Sequence, residues 1–215
     1  MNFWSYFVSQ KIFETPSKYN GTVSIEESFG KKYLYANGQM QSGPYLERIW
    51  RKGIIKLGIN HMPIQTILIL GFGAGSFAKI ISKLFPGAHI TGIDIDPVML
   101  FAAKKHFNSY EISNCVIEEA NAKNFVKKML QKKARFDLVF VDLYHGYSLP
   151  AFAEKDDFIQ NAARLVSNDG VFLFNRLYFQ KYRDKTDQFL DKLHKNFQDI
   201  QIAKIYSNLL ICIKP

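Results

Sequence analysis

The sequence has few cysteines, and the two that it has lie far apart. Cys115 and Cys212 each sit in an apolar stretch, as buried thiols commonly do. Two such residues make neither a disulfide framework nor a cluster of metal ligands. We therefore expect no metal site, and the free thiols indicate a reducing compartment.

Long apolar runs are also missing, because none approaches the roughly 20 residues that a membrane-spanning helix needs. The first residues, MNFWSYFVSQKIF, are aromatic, but they show no basic region before an apolar stretch and no small-residue cleavage site. The sequence therefore predicts neither a signal peptide nor a membrane partner. The expected location is the cytoplasm.

Acidic residues are in the minority, since 19 Asp and Glu stand against 28 Lys and Arg, for a formal net charge of +9. A basic excess prompts the question of a polyanionic partner. However, the lysines form scattered pairs on predicted helix surfaces, whereas phosphate and base recognition favours clustered arginine. The pattern favours a solvated face, and a nucleic-acid partner is not expected.

What is present suits a folded protein of ordinary composition. The chain has 215 residues, 47% of them hydrophobic and 22% charged. This length suits one core domain with a modest appendage.

The front of the chain has a β pattern over residues 7–41. Apolar and polar residues alternate over 22–26, and Asn37-Gly38 is a strong signal for a tight turn between two strands. These features predict a small antiparallel sheet or a pair of hairpins.

A turn signal then separates this front part from the rest. Gly43 and Pro44 end the β pattern, and Pro44 suits the first turn of a helix over residues 44–57. We interpret residues 1–43 as an N-terminal β-hairpin domain and residues 44–215 as the main domain.

The main domain alternates apolar strands with helices. The predicted strands cover residues 67–70, 88–94, 115–118, 136–142, 170–174, 200–206 and 209–213. The predicted helices cover residues 75–85, a segment that starts at Pro97, 122–130, 154–166 and 183–196. Continuous apolar runs are typical of strands buried on both faces of a parallel sheet, and repeated β-α units imply right-handed crossovers.

The last two predicted strands are joined by a tight turn at Ser207-Asn208, which indicates an antiparallel pair. The predicted fold class is therefore α/β. It is a doubly wound, Rossmann-like and mainly parallel seven-stranded sheet with a C-terminal antiparallel hairpin, preceded by the small antiparallel β-domain.

A glycine-rich loop over residues 71–76 joins the first buried strand to a helix. Gly71, Gly73 and Gly75 allow the backbone to come close to a ligand, and the helix N-terminus offers unpaired N–H groups. A Walker-type phosphate loop would need a Gly-Lys-Ser/Thr ending, and a dinucleotide loop would have glycine or alanine in place of Ser76. The spacing fits a loop around an adenosyl cofactor, and a purely structural turn is the alternative.

A carboxylate at the end of the next strand supports a cofactor site. Asp94 follows the glycine loop by about 20 residues, where a carboxylate accepts both hydroxyl hydrogens of a ribose. We assign Asp94 to the ribose and place the adjacent Ile95 in the same pocket. Asp96 precedes Pro97 and suits the N-cap of the helix that follows.

Several segments, taken in order, resemble a known family. They are Ser17-Lys18-Tyr19, Phe29-Gly30, Leu34, Asn37-Gly38-Gln39-Met40-Gln41, Phe136-Asp137-Leu138-Val139-Phe140-Val141-Asp142, Pro150, Phe158, Gly170-Val171 and Asn175. From about Phe13 to Asn175 the chain resembles the class I S-adenosylmethionine-dependent methyltransferase superfamily, in its spermidine-synthase-like (polyamine aminopropyltransferase-like) branch.

The resemblance implies a cofactor and positions for it. The cofactor would be S-adenosylmethionine or decarboxylated S-adenosylmethionine. Gln41 and Asp142 would face its pocket, and Asn121 with Ala122 would lie near the adenine.

The chain departs from that branch mainly by losing carboxylates. Aminopropyltransferases have an acidic residue in place of Ala74, an aspartate base in place of His145 and an aspartate in place of Asn121. The acidic segment after Gln41 is shortened to residues 42–44. A polyamine is a polycation that needs a carboxylate-lined tunnel, so we expect weak or absent spermidine synthesis.

Asp142, Tyr144 and His145 are the candidate catalytic residues. They follow the fourth strand of the main domain, at the sheet edge where α/β proteins bind ligands. His145 has a side chain that titrates near neutral pH and could act as a base, or it is a solvated loop residue. Tyr144 either stacks on a ligand or packs in the core.

Two further residues are weaker candidates. Asn175, at the end of the fifth strand, either bonds a loop backbone or takes part in catalysis. Glu47 is an acidic residue on the first helix, and we expect it to face solvent.

Four functions stay open at this point. The leading one is methyl transfer from S-adenosylmethionine to an unknown small substrate. The alternatives are aminopropyl transfer with altered polyamine specificity, a nucleotide-binding or dimerisation module without catalysis, and RNA modification, which rests on the net charge alone.

Aromatic residues are concentrated in the first 41 residues: Phe3, Trp4, Tyr6, Phe7, Phe13, Tyr19, Phe29, Tyr33 and Tyr35. Isolated hairpins are marginal in water, so some of these side chains must pack on the main domain. Related enzymes use this region in their dimer contact. We therefore expect a homodimer through the N-terminal region, with Gln41 and Tyr45 covering the cofactor pocket.

Overall fold

The computed structural model describes residues 8–215. Its first element is a four-stranded antiparallel sheet, and the strands follow one another in chain order. They are β1 (Gln10–Ser17), β2 (Gly21–Ser28), β3 (Lys31–Ala36) and β4 (Gln39–Ser42). The predicted antiparallel sheet is confirmed, although residue 7 and the aromatic residues Phe3, Trp4, Tyr6 and Phe7 lie outside the described part.

The turn between β3 and β4 has the conformation that its sequence requires. Asn37 and Gly38 both have positive φ, at 47° and 75°, the backbone that short hairpin turns use and that asparagine and glycine tolerate. The predicted turn is confirmed.

Helix α1 (Pro44–Lys56) connects this sheet to the rest of the chain. Proline stands at its first turn, and Ile49, Trp50, Gly53 and Ile54 form its buried face. A short 3₁₀ turn follows before the main sheet begins.

The main sheet has seven strands in the order β10-β11-β9-β8-β5-β6-β7. The strands are β5 (Thr66–Leu70), β6 (His89–Asp94), β7 (Cys115–Glu119), β8 (Phe136–Val141), β9 (Val166–Leu177), β10 (Asp199–Ile205) and β11 (Asn208–Lys214). β5 to β9 are parallel, and β11 pairs antiparallel with both β9 and β10. The predicted α/β class and the C-terminal hairpin are confirmed.

Helices cover both faces of this sheet. They are α2 (Ser76–Leu84), α3 (Pro97–His106), α4 (Ala122–Gln131), α5 (Asp156–Ala163) and α6 (Tyr182–His194). α1 to α3 and the apolar side of the first sheet share one core cluster, and α4 to α6 form the other. β5 lies between β6 and β8, so the chain turns to opposite sides of the sheet there and opens a crevice at the carboxyl ends of these strands.

Most element boundaries differ from the prediction by a residue or two, and three differences have a clear structural reason. Helix 154–166 was predicted too long, because Lys155 has extended backbone angles that separate a 3₁₀ turn from α5. Strand 170–174 was predicted too short, since β9 begins at Val166 and its pairing with β8 is irregular. The last turn falls at Tyr206-Ser207, one residue early, because Tyr206 itself adopts positive φ.

Among residues 8–215, no helix combines the length and apolar character that crossing a membrane requires. Both cysteines are free thiols, but only Cys212 is buried as predicted, because Cys115 lies in the partly covered edge strand β7.

Candidate functional site

A cleft of about 410 Å³ opens at the carboxyl ends of β5, β6 and β8. Most of the predicted cofactor and catalytic residues line it: Gly71, Asp94, Ile95, Asn121, Ala122, Asp142, Tyr144 and His145. Gln41, Gly73 and Gly75 are the predicted residues that do not. The fold therefore brings together predicted residues from four separate segments of the chain. We call this space the Asp94 cleft.

The glycine loop forms one end of the cleft. Gly71, Gly73 and Gly75 all have positive φ, at 94°, 56° and 84°. Only Gly71 lines the cleft, where a Cβ would stand 2.1 Å from the carbonyl oxygen of Asp142. Gly75, which precedes α2, instead packs on Ser109. A Cβ added at Gly75 would stand 2.6 Å from Ser109 Oγ.

Two serines connect the glycine loop to the first sheet. Ser42 Oγ accepts the backbone N–H of Ala74 at 3.1 Å, and Ser76 Oγ accepts the backbone N–H of Gly43 at 3.0 Å. Both serines are buried. Neither was predicted to have a role at the site, because each pairing joins segments more than 30 residues apart.

Asp94 is positioned by two backbone groups. Its Oδ2 accepts the N–H of Gly73 at 2.8 Å, and its Oδ1 accepts the N–H of Asp96 at 3.0 Å. Burial raises the pKa of Asp94 to about 6, although these hydrogen bonds favour the charged form. An ionised carboxylate has about four lone-pair positions, so these backbone contacts leave acceptor capacity for a ligand in the cleft.

Asp96 has a second role besides the predicted N-cap. Its Oδ1 accepts the N–H of Val98 at 2.9 Å, which confirms the N-cap of α3. Its Oδ2 also accepts the hydroxyl of Ser17 at 2.5 Å and the amide of Asn20 at 2.7 Å. One buried carboxylate therefore attaches the turn between β1 and β2 to the main domain.

Asp142 lies at the end of a hydrogen-bonded chain of amides. Asn175 Nδ2 donates to Asp142 Oδ1 at 2.7 Å, and Asn208 Nδ2 donates to Asn175 Oδ1 at 2.8 Å. The suggestion that Asn175 bonds a loop backbone was wrong, because it bonds the carboxylate itself. Burial raises the pKa of Asp142 to about 7, and the nearby Asp94 raises it further, whereas the bond from Asn175 lowers it.

Tyr144 and His145 line the same cleft with different properties. The Tyr144 hydroxyl accepts the N–H of Leu177 at 3.0 Å, and burial raises its pKa to about 12. The His145 backbone pairs with Ser148, and its ring centre lies 6.3 Å from that of Tyr19. Partial burial lowers the pKa of His145 and so favours the neutral ring, although the nearby Asp96 acts in the opposite direction.

Asn121 caps the helix beside the cleft. Its Oδ1 accepts the N–H of Asn124 at 3.3 Å, at the start of α4. Ile95 and Ala122 add apolar surface to the same wall. This part of the cleft is suited to a flat aromatic group with polar edges.

Gln41 lies in a neighbouring space, which we call the Gln41 cavity. It has a volume of about 690 Å³, and Tyr45, Asp142, Tyr144 and Asn175 are among its lining residues. Gln41 Nε2 donates to the carbonyl of Gly146 at 3.2 Å. Because Asp142 and Tyr144 line both spaces, the Gln41 cavity adjoins the Asp94 cleft at the carboxylate.

Glu47 takes no part in either space. It accepts a hydrogen bond from Lys79 Nζ at 2.8 Å, and its side chain is about a fifth exposed. The expected solvent-facing position is met only in part, because the side chain is mostly covered and paired with Lys79.

Comparison with known sequences gives one family match. Residues 65–209 match the family described as "Methyltransferase domain", and these residues hold β5 and everything that lines the Asp94 cleft.

Two curated relatives differ in their named activities. The polyamine aminopropyltransferase of Vibrio vulnificus is 24% identical over 147 residues, which cover 68% of this chain and 49% of that protein. The eEF1A lysine and N-terminal methyltransferase of Xenopus laevis is 28% identical over 158 residues, which cover 68% of this chain and 22% of that protein. The chain therefore spans half or less of these two relatives.

Two solved structures have a similar fold. Spermidine synthase from Thermotoga maritima superposes with a TM-score of 0.78 at 16% identity, over 96% of this chain and 73% of that one. Human methyltransferase-like protein 13 in complex with SAH superposes with a TM-score of 0.63 at 19% identity, over 79% of each chain. The first superposition extends over the N-terminal sheet as well as the main domain.

Proposed function

Because this chain belongs to the methyltransferase-domain family, we propose that it is a transferase that moves a methyl group from S-adenosylmethionine to a small acceptor. The observation that carries the proposal is the Asp94 cleft, in which a fixed carboxylate faces an apolar-walled space beside a glycine loop. The solved structure of human methyltransferase-like protein 13 contains SAH, the product form of this donor.

The residues of the cleft fit an adenosyl group. Asp94 lines the cleft and would accept the ribose hydroxyls, and Asn121 with Ala122 would form the wall beside the adenine. The bound donor would supply a methyl group that its positively charged sulfur has already activated. The protein then has to align the acceptor and receive its proton.

Asp142 is our choice for the proton acceptor. It lies where the Asp94 cleft meets the Gln41 cavity, and its raised pKa of about 7 suits exchange of a proton near neutral pH. His145 is the second choice, because it lines the cleft but does not line the Gln41 cavity. Tyr144, with a pKa of about 12, serves as a wall and not as a base.

Aminopropyl transfer is the second candidate, and the similarity to polyamine aminopropyltransferase favours it. Under this alternative the donor would be decarboxylated and the protein would act in polyamine biosynthesis. Against it stands the lining of the Gln41 cavity, where Asp142 is the single carboxylate among the described residues. A dication would find little compensation there.

We also propose a cytoplasmic location and a homodimer. The free thiols of Cys115 and Cys212 support the location. The exposed aromatic ring of Phe29, in the turn between β2 and β3, supports a contact between copies.

Donor binding tests the proposal. Calorimetry should show S-adenosylmethionine binding more tightly than its decarboxylated form and than NAD. Asp94→Ala should weaken binding by roughly 2–3 kcal/mol, because a charged acceptor of two hydroxyl groups is lost. Glu119→Ala removes an exposed carboxylate from the end of the next strand and should leave the affinity unchanged.

Other results of these binding experiments would favour the alternative functions. Tighter binding of the decarboxylated donor, with turnover of putrescine, would establish aminopropyl transfer. Tighter binding of NAD would refute the adenosylmethionine site, and an unchanged affinity in Asp94→Ala would refute the ribose assignment. Tight binding without turnover of any acceptor in a broad panel would favour the non-catalytic module.

A further inference from the structure

A third space lies on the far side of Tyr144, and we call it the Arg176 cavity. It has a volume of about 850 Å³ and is formed by the end of β9, the start of α6 and the loop after β8. The residues that matter for its chemistry are Arg176, Lys181, Lys185, Glu154, Tyr147 and Tyr182. None of them was singled out from the sequence.

Arg176 is a buried cation with unused hydrogen-bonding capacity. Its side chain is 5% exposed, and its guanidinium lies 4.3 Å from the ring centre of Phe189. Nη2 pairs with Glu154 at 2.7 Å. The buried Nε–H has no hydrogen-bond partner within residues 8–215, and unsatisfied buried donors of this kind are rare.

The cavity is positively charged. Arg176, Lys181 and Lys185 line it, and Glu154 is the single acidic residue among its lining residues in the described part of the chain. Glu154 is already paired with Arg176, so the two exposed lysines are left uncompensated at the cavity wall. A polycation would be repelled from this wall, whereas an anion would be attracted.

The Arg176 cavity adjoins the reaction site, because the two share lining residues. Tyr144 lines the Asp94 cleft, the Gln41 cavity and the Arg176 cavity, and Tyr147 and Leu177 line the last two. One acceptor molecule could therefore extend from Asp142 into the cationic space.

We propose that the Arg176 cavity binds an anionic group of the acceptor, a carboxylate or a phosphate, while the nucleophilic end of the acceptor lies beside Asp142. The assignment of this anion to the acceptor substrate rests on the proposed transferase function, whereas the binding of an anion does not. The substrate class is then a small organic anion and not a polyamine.

Two four-carbon probes of opposite charge test this proposal directly. Succinate and putrescine are titrated calorimetrically into the wild-type protein and into K181A/K185A, and inorganic phosphate is a third probe that separates the two kinds of anion. We expect at least one anion to bind, to bind roughly tenfold more weakly to the double variant, and to weaken with added salt. Putrescine should not bind.

The control removes the same charge elsewhere. K127A/K132A loses two exposed lysines from α4 and its C-terminal cap, which do not line the Arg176 cavity. It should bind the anion as the wild-type protein does. Equal binding to all three proteins, no saturable binding of any anion, or binding of putrescine in place of succinate would each overturn the proposal.

S-adenosylmethionine is titrated into the same proteins, so the two proposals fail separately. Both double variants should keep the wild-type affinity for the donor. If the wild-type protein binds succinate but no S-adenosylmethionine, the transferase function is refuted and the anion site stands. If the donor binds and the anions do not, the anion site is refuted and the transferase function stands.

Discussion

Asp142 is held in an environment that opposes its own charge. Burial raises its pKa to about 7 and that of Asp94 to about 6. The protonated form is therefore favoured in the folded state relative to the unfolded chain. This contribution to stability is fully present below about pH 4 and is lost as the pH rises through 6 and 7.

The first prediction follows from the direction of this pKa shift. Asp142→Asn should make the ligand-free protein more stable at pH 8 by roughly 1–3 kcal/mol, because the buried charge is removed. The amide oxygen of the new side chain can still accept the hydrogen bond from Asn175. At pH 4.5 the variant and the wild-type protein should differ little.

Urea unfolding at the two pH values measures this difference. Asp199→Asn, which changes an exposed carboxylate at the start of β10, serves as the control. An equal effect of Asp142→Asn at both pH values would mean that the carboxylate does not titrate in this range.

At the scale of elements, the glycine loop lets two parallel strands end close together. A Cβ on Gly71 would lie 2.1 Å from a backbone oxygen of Asp142, and that atom cannot move aside as a flexible side chain can. Gly58 also has positive φ, at 69°, but no atom lies within 4 Å of its Cβ position. The two glycines differ in crowding and not in the sign of φ.

The second prediction compares alanine substitutions at Gly58 and Gly71. Gly58→Ala should cost about 1–2 kcal/mol for the backbone conformation alone. Gly71→Ala should cost at least about 2 kcal/mol more, because β5 and β8 must separate, and it should also reduce donor binding. Denaturant unfolding of both variants gives the comparison, and similar losses in the two would show that the close approach is relaxed at little cost.

The elements that could be predicted are those with a local signal. The glycine loop, the Asp96 cap and the Asn37-Gly38 turn each depend on residues within a few positions of one another, so their sequence was sufficient. The Asp94 cleft was also accessible, because carboxyl ends of parallel strands meet at one edge.

The elements that could not be predicted depend on distant partners. Ser42 and Ser76 are ordinary small polar residues until the first sheet meets the glycine loop. Asn208 looked like a turn residue, yet it begins β11 and bonds Asn175. Arg176 follows an apolar stretch and Asn175 near the end of β9, and only packing reveals its buried position.

At the scale of the whole molecule, the first sheet is attached beside the Asp94 cleft. The hydrogen bonds of Ser42 and Asp96 fasten it to the glycine loop and to α3. Phe13 packs on Phe101 and His106, as expected for some of the N-terminal aromatic residues. The sheet therefore contributes to the shape of the site and not only to its own stability.

The third prediction concerns this attachment. Deleting residues 1–41 should lower the affinity for the donor and should either convert a dimer to a monomer or cause aggregation, because the apolar surface beneath the sheet becomes exposed. Size exclusion with light scattering measures the mass, and calorimetry measures the affinity.

A milder variant separates the two effects. S17A/N20A removes the bonds to Asp96 but keeps the whole sheet, so it should weaken donor binding without changing the mass. A truncated protein that stays soluble, with the mass and affinity of the full chain, would contradict both the dimer contact and the role of the sheet at the site.

The amide chain behind Asp142 also bears on the order in which the protein folds. Each of its two hydrogen bonds spans 33 residues, and the second one forms only when β11 has entered the sheet between β9 and β10. Contacts of such sequence separation form late, because closing their loops costs entropy before any bond compensates for it. During synthesis on the ribosome, the glycine loop and Asp94 emerge long before Asn208 does. We therefore expect the amide chain behind Asp142 to be completed late in folding, after the C-terminal hairpin has paired.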